Sequence, residues 1–137
     1  MWLFSFINYF QAPEIVPIHY NLSGEPDGYG NKIIPLLIAI IPTAIYFAST
    51  RLNKSPHVFN YTTQINAENA KRQYTIATRM IRMLKVNIVL IFLMDTVSPY
   101  FVAQGIFKGP VSYLFPLSLL LIAVPIVYAI VLSQAIK

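Results

Sequence analysis

Residues 33–50 read IIPLLIAIIPTAIYFAST, a run of eighteen residues without a charged side chain. A helix of this length rises about 27 Å, close to the roughly 30 Å hydrocarbon core of a bilayer. Pro35 falls in the first turn, where a missing N–H leaves no hydrogen bond unmade, whereas Pro42 is internal and predicts a kink. The run therefore predicts a transmembrane helix and sets the fold class of the chain.

The composition of the whole chain agrees with a membrane protein. Of its 137 residues, 56% are hydrophobic and 11% are charged, against about 45–50% and about 25% in soluble domains. The length predicts a single membrane domain over 1–137. Because the sequence has no cysteine, disulfides, thiolate metal sites and thiol nucleophiles are excluded.

Two further apolar segments follow, at 86–103 and 112–135, joined by a Gly/Pro turn at 104–111. The first is the more polar of the two, since it contains Asp95. Together with the helix at 33–50, they predict an all-α polytopic bundle with three full transmembrane helices.

Residues 1–10 are apolar and aromatic, but they are only half as long as a membrane span requires. We expect a short hydrophobic helix here. Either the start of the chain is truncated or the segment is an interfacial anchor with an aromatic belt. A cleavable signal peptide is disfavoured, because no basic segment precedes the apolar run and no small-residue cleavage site follows it.

The segment 51–85 is hydrophilic and basic. Asn66 is a predicted helix N-cap, followed by Glu68 in the first turn. Beyond it, apolar residues recur at alternating four- and three-residue steps, and basic residues occupy the opposite arc. This pattern predicts a basic amphipathic helix over 67–85 that lies on an anionic membrane surface, packs its apolar stripe on a partner helix or docks a cytoplasmic regulator. We expect it to continue without a breaker into 86–103. The apolar positions are Ala70, Tyr74, Ala77, Ile81 and Leu84, and the basic ones are Lys71, Arg72, Arg79, Arg82 and Lys85.

Charge orients the predicted spans. The segment 51–85 has seven basic residues and one acidic residue, a net charge of +6, whereas 11–32 has Lys32 against three acidic residues, a net charge of −2. The positive-inside rule then places 51–85 and the C-terminus in the cytoplasm and 11–32 outside. Since the basic residues face a lipid bilayer, nucleic acid is not expected as a partner.

Residues 13–32, PEIVPIHYNLSGEPDGYGNK, form the polar segment before the first span. Its two prolines favour extended geometry, so its first eight residues are expected to run as a strand or a polyproline-like arm. Glu-Pro-Asp-Gly at 25–28 predicts a type I or II turn, and Gly24, Gly28 and Gly30 are expected to take positive φ. The segment is thus a structured external hairpin loop.

This loop resembles the signature of the domain of unknown function 1648. The matching residues are Pro13, Val16, Pro17, His19, Tyr20, Asn21, Gly24, Glu25, Asp27, Gly28, Tyr29 and Lys32. A later run, NAENAKRQY at 66–74, resembles the segment that often follows this domain's second transmembrane helix, so the resemblance covers about residues 11–95. The domain opens the SdpI-type membrane proteins, whose longer architecture has additional C-terminal helices.

The resemblance implies a small bacterial plasma-membrane protein. SdpI-type proteins include immunity proteins against secreted toxins. It implies that the external loop binds an extracellular toxin, a peptide or an envelope component, in immunity or envelope-stress sensing. The binding residues that it implies are Pro17, His19, Asn21, Gly24, Glu25, Asp27, Gly28, Tyr29 and Lys32.

His19, Glu25 and Asp27 are also candidate metal ligands, since an imidazole and two carboxylates lie close in sequence. Their spacing matches no standard zinc template, and a carboxylate-rich set suits calcium or manganese equally. The alternative is that the two acids cap the turn while the imidazole hydrogen-bonds a backbone carbonyl. We therefore predict neither a metal nor a cofactor.

Asp95 is the strongest single candidate for a functional residue within a predicted membrane span. Counted from a helix start at Lys85, it lies about 15 Å deep, near the bilayer midplane. An acid there costs about 2.5–3.5 kcal/mol and indicates function, so it is counted among the candidate binding residues. If the helix starts lower, Asp95 approaches the outer interface and caps a kink at Pro99.

The competing functional class is a transport or ion-handling subunit, working as an oligomer, with Asp95 and the three candidate ligands of the loop along its path. The sequence contains no nucleophile–base pair, phosphate loop or zinc-protease motif. We therefore expect a binding or transport protein and not an enzyme.

Overall fold

The computed structural model describes residues 1–103 and 113–135, with the backbone alone for residues 98–103. Its elements in chain order are α1 (Trp2–Gln11), β1 (Ile15–Tyr20), β2 (Pro26–Asn31), α2 (Ile33–Ile38), α3 (Ile40–Leu52), a 3₁₀ turn (Pro56–Val58), α4 (Ala70–Ala103) and α5 (Leu114–Ala135). The chain is mostly helical, and the antiparallel β1–β2 hairpin corrects the all-α prediction. The predicted turn at 104–111 and residue 112 lie outside the described residues.

Two helical stretches are long and apolar enough to cross a membrane: Ile33–Leu52, which comprises α2 and α3, and Leu114–Ala135, which is α5. They correspond to the spans predicted at 33–50 and 112–135. Only 11% of the apolar window of each is buried within the protein, whereas the core helix of a soluble protein is mostly covered. Their exposed apolar surfaces are suited to lipid.

The predicted kink at Pro42 is confirmed, because the helix is interrupted at Ala39, between α2 and α3. In a regular helix, residue 42 would donate a hydrogen bond to the carbonyl of Ile38, and proline has no N–H to donate. The Ala39 N–H bonds the Leu36 carbonyl at 3.3 Å in a tighter turn. The Thr43 hydroxyl then donates to the Ala39 carbonyl at 2.9 Å, so the break is supported by local polar contacts.

The third predicted span, 86–103, is the second half of α4, which runs without interruption over 34 residues. The predicted continuity with the preceding basic segment is confirmed. Asn66 caps this helix as predicted, since its Oδ1 accepts hydrogen bonds from the backbone N–H groups of Glu68 and Asn69 at 3.0 and 2.9 Å. The side chain of Pro99, the predicted kink residue, lies outside the described residues.

The basic helix predicted over 67–85 is the first part of α4, and α5 packs beside it, in agreement with the predicted packing on a partner helix. Gln73 is buried, its Nε2 donates to the Ser133 carbonyl at 3.0 Å, and the Ser133 hydroxyl donates to its Oε1 at 2.7 Å. The predicted apolar positions are half-buried, and the basic positions are exposed except for Lys85, which is half-buried. The apolar positions therefore lie on a helix that α5 partly covers.

The short hydrophobic helix predicted for residues 1–10 is confirmed as α1, and it packs into the bundle. The Trp2 indole N–H donates to the Thr43 hydroxyl of α3 at 3.0 Å, and the Asn8 side-chain amide donates to the Thr96 carbonyl of α4 at 2.8 Å. Contacts with two other helices do not fit an anchor that lies alone on the membrane surface.

Asn87, a polar residue in an apolar part of α4, has a structural role in the contact with α5. Pro125 is buried within α5, and its missing N–H leaves the Leu121 carbonyl without its helical donor. The side-chain amide of Asn87 donates to this carbonyl from α4. Asn87 thus repairs, across the helix–helix interface, the hydrogen bond that Pro125 removes.

Candidate recognition site in the hairpin

The reversal of the hairpin lies at Asn21–Gly24, and the turn predicted at 25–28 is wrong, because Pro26–Asn31 is strand β2. Asn21 holds the reversal: its Oδ1 accepts the backbone N–H groups of Ser23 and Glu25 at 2.9 and 3.0 Å, and its carbonyl accepts the Gly24 N–H at 2.9 Å. Of the hairpin's three glycines, Gly24 alone has positive φ, 81°. This is the turn chemistry of an Asx turn that ends on a left-handed glycine.

Two irregularities in strand pairing bring the candidate imidazole and one carboxylate together. His19 pairs with Gly28, and the register shifts on both sides of His19 in β1. Ile18 is the extra residue of β1 and Asp27 the extra residue of β2, and such bulges redirect side chains. The His19 Nδ1 is hydrogen-bonded to the Asp27 Oδ1, and both side chains remain solvent-exposed.

Glu25 does not join this pair. Its Oε2 lies 3.4 Å from the side-chain nitrogen of Asn21, on the turn. Within residues 1–103 and 113–135, no three His, Cys, Asp or Glu side chains cluster in a way that could hold a metal ion. The hairpin therefore presents a His–Asp pair and a separate carboxylate at the turn.

Lys32 fastens the base of the hairpin to α1. Its side chain is only 19% exposed, and its Nζ lies 3.0 Å from the Glu14 Oε1 and 5.3 Å from the centre of the Tyr9 ring. The Lys32 backbone N–H also donates to the Glu14 carbonyl at 3.0 Å. Ion pairing, a cation–π contact and a backbone bond together fix how the hairpin leaves the helices.

We expect Lys32→Met to loosen this attachment without unfolding the bundle. Because Glu14 is exposed, the lost ion pair is worth at most about 1 kcal/mol, or about a fivefold increase in hairpin opening. Hydrogen exchange of residues 15–31 measures this opening, and the exposed Lys54→Met is the matched control. Equal exchange in the two variants would show that the lysine does not restrain the hairpin.

The hairpin also exposes large apolar side chains, and of these the sequence singled out Tyr29 alone as a binding residue. Ile15 and Tyr29 are 59% and 61% exposed and Leu22 on the turn is 84% exposed, with Ile18 beside the His–Asp pair also exposed. Pro17 pairs with Tyr29, where a proline is tolerated because both strands are edge strands. Exposed apolar groups around a few polar ones are the usual composition of a binding surface.

Asp95 lies apart from this surface, on α4. It lines a space too small for a water molecule, together with Ile91, Met94, Leu114 and Ser118. Leu114 is the first residue of α5 and Ser118 is one turn further, so Asp95 lies beside the start of that helix. How deep Asp95 lies in a bilayer stays a prediction, because it depends on where α4 enters the membrane and not on where the helix begins.

Residues 1–45 match the family described as Domain of unknown function (DUF1648). The match covers 45 of the 137 residues, so the chain is similar to this family over its first part. This stretch contains α1, the hairpin, α2 and the first part of α3, so the family resemblance of the signature residues is confirmed. The family description itself assigns no activity.

A relative is known in an archaeon. An uncharacterized protein of Archaeoglobus fulgidus is 34% identical over 68 residues, which cover 44% of this chain and 37% of that protein. The match therefore spans less than two-fifths of the relative's length. No solved structure matches this chain. The chain thus has an archaeal relative, whereas the resemblance implies a bacterial setting.

Proposed function

We propose that this chain is a multi-pass plasma-membrane protein that captures an extracellular or envelope partner with its hairpin, in an SdpI-like immunity or envelope-stress role. The three spans are α2–α3, the second half of α4 and α5. The apolar, exposed surfaces of α2–α3 and α5 support this placement. The positive-inside rule places the hairpin outside and the C-terminus in the cytoplasm, where a regulator would meet the basic part of α4.

The observation that carries the proposal is a shaped and exposed hairpin. Asn21 fixes its turn, the bulged His19–Gly28 pair fixes its middle, and Lys32 fixes its base. A binding loop held in one conformation loses little entropy when it meets its partner. A spacer would have no need of three separate restraints, so the hairpin is built as a recognition element on a helical scaffold.

Charge and exposed apolar area favour one chemical class of partner. The segment 11–32 carries a net charge of −2, and Lys32, its single basic residue, is paired with Glu14. Asp27 and Glu25 are therefore the carboxylates that a partner meets next to exposed Leu22 and Tyr29. A cationic, amphipathic peptide complements such a surface, and a secreted toxin peptide belongs to this class. The role is binding and not catalysis.

We expect Asp27→Asn to reduce protection against such a peptide. Cells producing the chain are challenged with synthetic cationic amphipathic peptides, and the tolerated concentration is compared with that of cells without it. The substitution removes one exposed charge and should lower the tolerated concentration about fivefold, the effect of about 1 kcal/mol. Glu68→Gln removes one exposed negative charge from the turn before α4 and is the matched control. Protection that is unchanged in Asp27→Asn, or equally reduced in Glu68→Gln, contradicts the proposal.

Transport or ion handling is the second candidate, because Asp95 places a carboxyl group in the second half of α4. Asp95→Asn should then change proton or ion flux through the protein in liposomes. The narrow space beside Asp95 holds no water molecule in this conformation, so a path there requires the helices to move. Equal flux in the wild type and in Asp95→Asn would contradict the transport function, and recognition would then be the one remaining proposal.

A further inference from the structure

A groove of about 240 Å³ opens between α1, α3 and α4. Its walls are Met1, Trp2, Pro42, Thr43, Tyr46 and Val89. The polar side-chain groups of Trp2 and Thr43 already have hydrogen-bond partners within the protein. The Trp2 indole N–H donates to the Thr43 hydroxyl, which in turn donates to the Ala39 carbonyl. An enclosed apolar cavity of about 150 Å³ is enough to bind benzene, so this groove has room for a segment of hydrocarbon chain.

A cation lies at one end of this groove. The Lys85 Nζ is 4.5 Å from the centre of the Tyr46 ring, which forms part of the wall, and it donates to the Thr50 hydroxyl at 3.1 Å. Neither contact neutralises the ammonium charge, because the ring and the hydroxyl are both uncharged. The groove is thus apolar along its length and positive at its mouth.

The heights of these groups match the profile of one bilayer leaflet. Thr50 lies two residues, about 3 Å, from the end of the span Ile33–Leu52, so the Lys85 ammonium is at the level of the lipid headgroups. Tyr46 and Pro42 lie six and ten residues from that end, about 9 and 15 Å deep, at the level of the acyl chains. The exposed Arg51 and Arg82 next to this level mark the same boundary.

We propose that this groove binds an anionic phospholipid of the surrounding bilayer, with one acyl chain between α1, α3 and α4 and the phosphate at Lys85. The site depends on the membrane placement proposed above, but not on the recognition role of the hairpin. The apolar walls select a hydrocarbon chain. The Lys85 ammonium, which pairs with no carboxylate among the residues that the structure describes, selects a negative headgroup. A lipid held there fills the groove and ties α1 to the α3–α4 pair.

Trp2 allows a direct test, because it is the single tryptophan of the chain and lies in the wall of the groove. The protein is reconstituted in phosphatidylcholine vesicles that contain increasing fractions of phosphatidylglycerol brominated on its acyl chains, which quenches tryptophan on contact. Brominated phosphatidylcholine serves as the neutral comparison. We expect phosphatidylglycerol to quench Trp2 at about fivefold lower mole fraction.

Two substitutions locate the effect. Lys85→Gln should remove the preference for phosphatidylglycerol and leave quenching by phosphatidylcholine unchanged, whereas the exposed Lys54→Gln, with the same loss of charge, should retain the preference. Val89→Phe fills the groove and should reduce quenching by both lipids while helix content, measured by circular dichroism, stays constant. Unchanged quenching in Val89→Phe would overturn the acyl-chain position.

The remaining outcomes also decide. Equal quenching by the two lipids in the wild type, or a preference lost equally in Lys85→Gln and Lys54→Gln, overturns the site while leaving the membrane placement intact. Weak quenching by both lipids with a dimeric mass shows that a second copy fills the groove and also overturns it. Weak quenching with a monomeric mass shows that Trp2 does not lie in hydrocarbon, and the membrane placement then fails as well.

Discussion

Asn87→Ala is expected to lower the free energy of unfolding by about 2–3 kcal/mol, although it removes a polar group from an apolar helix. The reason is the Leu121 carbonyl, whose helical donor is absent because residue 125 is proline and whose replacement donor is the Asn87 amide. Without that amide, a carbonyl is left unpaired where water is scarce, which costs about 1–3 kcal/mol or more. Reversible unfolding in mixed detergent micelles measures the change.

A second substitution tests the cause. Pro125→Ala restores a backbone N–H to residue 125, so the Leu121 carbonyl regains its donor within α5. Asn87→Ala in this background should then cost less than about 1 kcal/mol, and the double-mutant cycle should give a coupling of about 1.5–2 kcal/mol. If Asn87→Ala costs the same with and without Pro125, the asparagine stabilises the protein by some other route.

This pair shows why part of the fold could not be predicted from the sequence. The apolar runs at 33–50 and 112–135 predict their helices, because length and absence of charge are local properties. In the sequence, Asn87 indicates only that the segment 86–103 is more polar than the other spans. Its meaning depends on a proline 38 positions later in the chain and on the packing that places α4 beside α5. Contacts between distant residues are not visible in periodicity.

In the basic part of α4, too, contacts with a distant part of the chain could not be predicted from the sequence. The spacing of its apolar residues correctly predicts which positions are shielded, and Asn66 is the predicted cap. What covers the apolar positions is decided elsewhere, by α5 and its Ser133 contact to Gln73. A helix sequence specifies an apolar face but not its partner, so a membrane surface and a neighbouring helix give the same pattern.

In the candidate site, the extended first strand was predicted correctly, but the turn lies four residues before its predicted position. Glu-Pro-Asp-Gly at 25–28 has suitable turn residues, yet Asn-Leu-Ser-Gly at 21–24 forms the reversal, because Asn21 bonds two backbone N–H groups and Gly24 takes positive φ. Two competing turn sequences are resolved by strand pairing, which is not local. The same pairing, through its bulges, brings His19 to Asp27 and leaves Glu25 at the turn.

Gly28→Ala is expected to open the hairpin and abolish the shape of the proposed recognition surface. A Cβ built on Gly28 would lie 2.9 Å from the His19 Cβ, an atom next to the backbone that cannot rotate away. Ordinary cross-strand Cβ atoms lie about 4.5–5.5 Å apart, so the two strands must separate. The close approach is a consequence of the bulges that flank this pair. The cost should be about 1–3 kcal/mol, as for other overpacked sites.

The effect should be local, because the described contacts that fasten the hairpin to α1, those of Lys32, lie at its base. Hydrogen exchange of residues 15–31 should rise at least tenfold in Gly28→Ala, while exchange in α4 and α5 stays within twofold of the wild type. Ser23→Ala is the matched control, since this turn residue is exposed and its side chain is not part of the Asn21 bonds. Peptide tolerance of producing cells should fall with Gly28→Ala and not with Ser23→Ala. An opened hairpin with full tolerance would mean that the fixed shape is not what the partner recognises, and the recognition role would then rest on composition alone.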